Sequence, residues 1–146
     1  LHQLTIKKFL RPLVEVREHM AKVTGLGGIF FKCDDPKKMN EWYKENLGIP
    51  ASAWGASFDW RYDENPEKKG QTAWATFPKN AKNFEPSTKE FMINYRVENL
   101  EALIAELKEA GVTIVDEIAT YEYGKFVHIL DPEGNAIELW EPAEEE

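Results

Sequence analysis

The stretch "NAIELWEP" (Asn135–Pro142) has an upstream echo in "QTAWATFP" (Gln71–Pro78), and the two stand 64 residues apart. The interval recurs. "GGIFFKCDDPKKMNEWYKENLGI" (Gly27–Ile49) and "FMINYRVENLEALIAELKEAGVTI" (Phe91–Ile114) each read as strand, helix cap, helix, glycine stop and strand, with Asp35 and Asn99 again 64 apart. Asp35 is a good N-cap and Pro36 a good first helical residue, because that position needs no backbone N–H. Asn99 is placed as the second cap. Leu100, Leu103, Ile104 and Leu107 then fall on one helical face, and Gly48 and Gly111 end the two helices.

The repeat predicts two modules in a single domain, module 1 over about 23–78 and module 2 over about 89–142, joined by a linker at about 78–88. Each module is predicted as βαβββ, which gives an α+β class. The middle strands are assigned to a stretch near Trp54 and "ASFDWRY" in module 1, and to "VTIVDEI" and "KFVHIL" in module 2. Residues 1–19 differ in character, with Pro12 in mid-segment. They are set apart as an N-terminal extension to a domain spanning 20–146.

Composition narrows the function classes. A net charge of −8 argues against a nucleic-acid binder, whose phosphate contacts need a basic surface. No apolar run is long enough to cross a bilayer, and no signal peptide is read at the N-terminus. The lone Cys33 excludes an intramolecular disulfide and fits the cytoplasm.

Strand alternation sorts the side chains into two faces. Phe91, Ile93, Tyr95 and Val97 should pack under the helices, with Met92, Asn94 and Arg96 opposite. Ile29, Phe31 and Cys33 join the helix side, which makes Cys33 a core residue, and Gly28, Phe30 and Lys32 join the other. In "FVHILDPEGNAIELWEP" (Phe126–Pro142), a turn at Asp131–Asn135 pairs two strands so that Leu130 meets Ala136 and His128 meets Glu138. On a shared face these two are within hydrogen-bond reach. A carboxylate raises the pKa of a neighbouring imidazole and fixes its tautomer, which suits proton transfer near neutral pH. The plainer alternative is that Glu138 forms an ion pair with Arg96 or Lys32, with His128 alongside.

Two βαβββ modules ending in "DPEGNAIELWEP" resemble the vicinal oxygen chelate superfamily, which includes glyoxalase I, bleomycin- and fosfomycin-resistance proteins and extradiol dioxygenases. The resemblance runs from about Val23 to Pro142. It implies a cup of curved mixed sheet with helices outside, a ligand inside the cup, and a homodimer. It also implies four metal-ligand positions, which fall on Gly28, Trp74, Met92 and Glu138. Only Glu138 carries a normal donor for a hard or borderline cation. No metal and no other cofactor is therefore expected, and Glu138 and His128 become the candidate catalytic pair. Phe30, Lys32, Trp74, Met92, Asn94, Arg96 and Trp140 are the candidate ligand-binding residues, with flat apolar surface for a planar organic molecule. Two functions stay open. One is a metal-free enzyme, a glyoxalase-family lyase or relative acting on a small carbonyl or aromatic compound. The other is a non-catalytic binder of the bleomycin-resistance type.

Overall fold

A computed structural model describes residues 22–144, so the extension 1–19 lies outside the described residues. The elements run β1 (Lys22–Cys33), α1 (Pro36–Leu47), β2 (Ala56–Tyr62), β3 (Asn65–Pro78), β4 (Phe91–Glu98), α2 (Leu100–Glu109), β5 (Ala119–Tyr121), β6 (Gly124–Leu130) and β7 (Ala136–Pro142). The seven strands form one mixed sheet in the order β2-β3-β1-β4-β7-β6-β5. Within each module the first strand pairs in parallel with the last, β1 with β3 and β4 with β7. The modules join where β1 and β4 pair antiparallel at the centre.

The helices begin and end where the local chemistry dictates. The Asp35 side chain accepts the Lys38 N–H at 3.2 Å, Pro36 opens α1, and Gly48 closes it at φ 71°. The second N-terminus differs from the expectation. Asn99 sits at the cap position in a left-handed conformation (φ 52°), and Glu141 on β7 accepts the Leu100 N–H at 2.9 Å. A carboxylate at a helix N-terminus also complements the helix dipole, so this bond ties α2 to the last strand.

Both helices lie on one face. Under α2, Val97, Leu100, Ile104, Val127, Ile129 and Leu139 form a buried cluster. Under α1, Tyr43 meets Phe31 and Trp74 edge to face, at 5.9 and 4.9 Å between centroids. Cys33 is buried, as the alternation predicts, while Ile29 and Phe91 on the same side remain exposed.

The middle strands depart from the repeat. Near Trp54 there is only an isolated bridge between Ser52 and Gly55, and in "VTIVDEI" only one between Ile114 and Ile129. Module 1 is therefore βαββ among the described residues, and the second strand of module 2 falls later, at β5. The segment around Ile114 still runs beside β6, with Val115 N–H donating to His128 O at 2.8 Å.

Trp74 is also corrected. Ile29 pairs with Trp74, and Ile93, 64 residues on from Ile29, pairs with Ile137, which is only 63 on from Trp74. A slip of one residue along a strand reverses every side chain. Glu138 pairs with Asn94, and the matching position in module 1 is Ala75, paired with Phe30. Trp74 faces α1 and does not line the inner face.

Between β3 and β4, Phe84 is fully buried, at 0% exposure, against Met92 and Ala136, with Phe30, Phe77 and Leu130 around them. The linker is thus folded across one end of the inner face and closes it. Phe30 and Met92, expected to border open space, are packed instead. Lys32 belongs to the same end, its Nζ 5.3 Å from the Phe84 ring centroid.

Candidate functional site

The inner face carries a chain of four polar side chains. His128 lies opposite Glu138 in the β6–β7 hairpin, and its Nε2 is 2.8 Å from Glu138 Oε2. Its Nδ1 is 2.6 Å from Asp116 Oδ2, while Asp116 Oδ1 accepts the His128 backbone N–H at 2.8 Å. Asn94, on the neighbouring strand β4, donates from Nδ2 to Glu138 Oε1 at 2.6 Å. The ion pair of Glu138 with Arg96 or Lys32 is not formed.

Held between two carboxylates, His128 is a strong acid–base outlier. The hydrogen bond to Glu138 raises its pKa most; burial opposes the rise and the bond to Asp116 adds to it, giving a value of about 9. The imidazole is therefore an imidazolium at neutral pH, donating from both nitrogens. The direction is the one read from the sequence, and the size of the rise places the titration above the neutral range expected for proton transfer. Of the pair, Glu138 retains accepting capacity, since a carboxylate offers about four lone-pair sites and two are used here.

Asn94 is 1% exposed, and its Oδ1 is a buried acceptor with no hydrogen bond. It fits only because Gly27 has no side chain. A Cβ there would land on Asn94 Oδ1 and lie 3.0 Å from Trp140 Cε3 and 3.1 Å from Arg96 Cγ. Gly27→Ala is therefore expected to cost about 1–3 kcal/mol, the usual penalty for overpacking a filled site, read as a lower thermal midpoint. An unchanged midpoint would show that the wall of the site yields.

One rung further along β4, Arg96 pairs with Trp140. The guanidinium lies 4.8 Å from the Trp140 ring and 5.4 Å from that of Trp60, which reaches over from β2. Trp140 stacks on Phe126 at 5.7 Å and donates from Nε1 to Tyr123 O at 2.9 Å. Asn94, Arg96, Trp140, His128 and Glu138 thus share one face. A cleft of about 840 Å³ opens beside Arg96, Tyr62, Lys68 and Lys69 and is not lined by His128 or Glu138.

The four positions matched to metal ligands do not make a donor set. Gly28 has no side chain, Ala75 replaces Trp74, and Met92 is buried among Phe84 and Ala136, leaving Glu138. Among the described residues no group of three or more His, Cys, Asp or Glu is arranged to hold a metal ion. The sequence reading missed Asp116. The antiparallel bridge of Ile114 with Ile129 brings Asp116 within one residue of His128, a long-range pairing that no local pattern in the sequence announces.

A mixed sheet built from two repeated modules, with helices on one face and a polar cluster on the other, defines a small glyoxalase-like domain. The chain belongs to the Glyoxalase/Bleomycin resistance protein/Dioxygenase superfamily, whose family model matches residues 25–139. No curated protein matches the sequence. Among solved structures, a Streptomyces coelicolor methylmalonyl-CoA epimerase variant is similar with a TM-score of 0.62 at 15% identity, covering 84% of this chain and 100% of that one. The Mycobacterium tuberculosis methylmalonyl-CoA epimerase gives 0.55 at 23% identity, covering 84% and 90%. A Vibrio splendidus member of the superfamily gives 0.51 at 14%, covering 80% and 98%. At these identities the likeness is one of fold. No helix among the described residues is long and apolar enough to cross a membrane.

Proposed function

We propose that this chain binds a small organic molecule on the inner face of its sheet without a resident metal, and that Glu138 is the proton-accepting group there. The observation that carries the reading is the hydrogen-bonded series Asp116–His128–Glu138–Asn94. Glu138 stands where the family resemblance puts a metal ligand. Its nearest positive charge is the His128 imidazolium, so a fixed proton takes the electrostatic place of a divalent cation. Asp116 orients the imidazole through the ring and the backbone at once. Asn94 fixes the carboxylate from the other side. A carboxylate held this way keeps free lone pairs in a fixed direction for a proton next to a carbonyl, while the imidazolium and Asn94 restrain its basicity.

A second reading, a non-catalytic binder of the bleomycin-resistance type, is favoured by the run of rings Phe126, Trp140 and Trp60 around Arg96. In either case a homodimer is the expected assembly, because among the described residues β2 and β5 are edge strands with no further strand beside them. A cytoplasmic setting agrees with the free, buried Cys33.

Elemental analysis of the purified protein is expected to find no stoichiometric transition metal. A panel of small carbonyl and aromatic compounds, followed by ligand-observed NMR, should give binders that Glu138→Gln weakens by about tenfold, the scale of one charge-assisted hydrogen bond. A stoichiometric metal that Glu138→Gln removes, or binding indifferent to that change, would overturn the proposal. Turnover of a binder by the wild type but not by Glu138→Gln would favour the enzyme over the binder.

A further inference from the structure

Arg96 is a buried cation without an anion. Its side chain is only 6% exposed, yet no carboxylate among the described residues lies within 4 Å of it. Buried charges are normally paired, because removing a guanidinium from water is costly and an opposite charge is what offsets it. Here the partners are neutral and distant: Nε donates to Tyr62 Oη at 3.4 Å and Nη1 to Gln71 O at 3.3 Å. Among the described residues Nη2 makes no hydrogen bond, and it is not among the sealed polar atoms, of which Asn94 Oδ1 is the one left unpaired. Arg96 is one of the residues lining the 840 Å³ cleft.

The surroundings limit how an anion can approach. Trp140 and Trp60 reach Arg96 from strands on opposite sides of β4, so rings flank the guanidinium and its accessible edge is the Nη1/Nη2 end. A carboxylate meets such an edge in plane, through two parallel N–H···O bonds. Lys68 and Lys69 on the same cleft add positive charge, with Lys68 Nζ 4.4 Å from the Tyr62 ring. Glu67, Glu98, Glu141 and Glu144 line the same cleft, so the rim as a whole is not cationic. Glu141 is engaged at the N-terminus of α2 and none of the four lies within 4 Å of Arg96, so the anion preference rests on the buried guanidinium itself.

We propose that the cleft beside Arg96 is a receptor for the carboxylate of a small organic acid, bound end-on by the guanidinium between the two indole rings. This deepens the small-molecule reading by naming the charge on the ligand, and it rests on that reading only in taking the occupant to be a small molecule.

The test compares benzoate, the neutral benzamide of the same shape, and inorganic phosphate at constant ionic strength. The readouts are the Arg96 Nε–H and the Trp60 and Trp140 indole N–H signals in nitrogen-15 NMR. Benzoate should shift all three saturably, benzamide should shift none, and phosphate, which can also meet the fork but has no ring to bury beside it, should bind at least about tenfold more weakly. Arg96→Lys should weaken benzoate by at least about tenfold, since an ammonium cannot present the fork; Arg96→Met serves where the lysine variant does not fold. Equal response to benzoate and benzamide, tighter binding of phosphate, or benzoate binding that survives loss of Arg96 each overturns the carboxylate assignment. So does the absence of any saturable shift with benzoate. Glu138-dependent binders that still bind in such an experiment would locate the failure at Arg96 and leave the broader reading standing.

Discussion

Replacing Phe84 by alanine is expected to destabilise the fold by about 3–5 kcal/mol, the usual cost of deleting a buried phenyl ring. Phe84 has no exposed surface and is central to a cluster with Met92 and Ala136. Phe77 meets it edge to face at 5.3 Å, and Phe30 meets Phe77 at 5.6 Å. The ring is supplied by the segment between β3 and β4, which the local turns Ala81 N–H to Pro78 O and Ser87 N–H to Phe84 O shape and which Lys32 N–H, donating to Glu90 O at 2.7 Å, ties to β1 at its far end. Phe84 is the large apolar side chain that this segment buries. Urea unfolding measures the effect directly, and Phe84→Leu, which keeps much of the volume, should recover roughly half of the loss. A loss within about 1 kcal/mol would mean that the segment does not close the cluster. The same variant bears on the site. With Phe84 in place, the Met92 end of the inner face is closed, so the proposed ligand would have to meet the end that carries Asn94, Arg96 and Trp140.

The parts of the fold legible in the sequence were those fixed by local pattern. Asp35-Pro36 and Gly48 bound α1 as read, because a cap, a first-turn proline and a left-handed glycine act within a few residues. The DPEGN turn set the β6–β7 register, and with it the meeting of His128 and Glu138, because a tight turn leaves a hairpin little freedom to slip. What failed was transfer by repeat. Matching Pro78 to Pro142 suggested that Trp74 corresponds to Glu138, yet strand pairing makes the counterpart Ala75. Equal spacing in sequence does not guarantee equal register: 45 residues separate the paired Ile29 and Trp74 and 44 separate the paired Ile93 and Ile137, so the first module has one residue more between its first and last strands. Asp116 and Phe84 were illegible for a different reason. Both lie in segments without periodicity, and their roles come from contacts with strands distant in sequence.

His128 is expected to titrate with a pKa of about 9 in the folded protein, against about 6.5 in the unfolded chain. The hydrogen bond to Glu138 is the largest cause of the rise, so Glu138→Gln should lower the value more than Asp116→Asn does. A raised pKa means that the folded state holds its proton more tightly than the unfolded state. Below about pH 6.5 both states are protonated, and the stabilisation from the two carboxylates is fully present. Between 6.5 and 9 the unfolded chain has lost its proton while the fold retains it, so stability falls as pH rises. Above about 9 the contribution is gone. A shift of this size corresponds to about 3 kcal/mol at most, and partial exposure to solvent reduces it to about 1–3 kcal/mol. The chain has three histidines, and the other two, His2 and His19, fall in the extension, so the ring signals can be separated by NMR. Denaturant unfolding at a series of pH values should show the decline in wild type and a flat profile across the same window in His128→Gln. A folded-state titration near 6.5 would remove the imidazolium from the site, and with it the fixed positive charge beside Glu138 on which the proposed metal-free function depends.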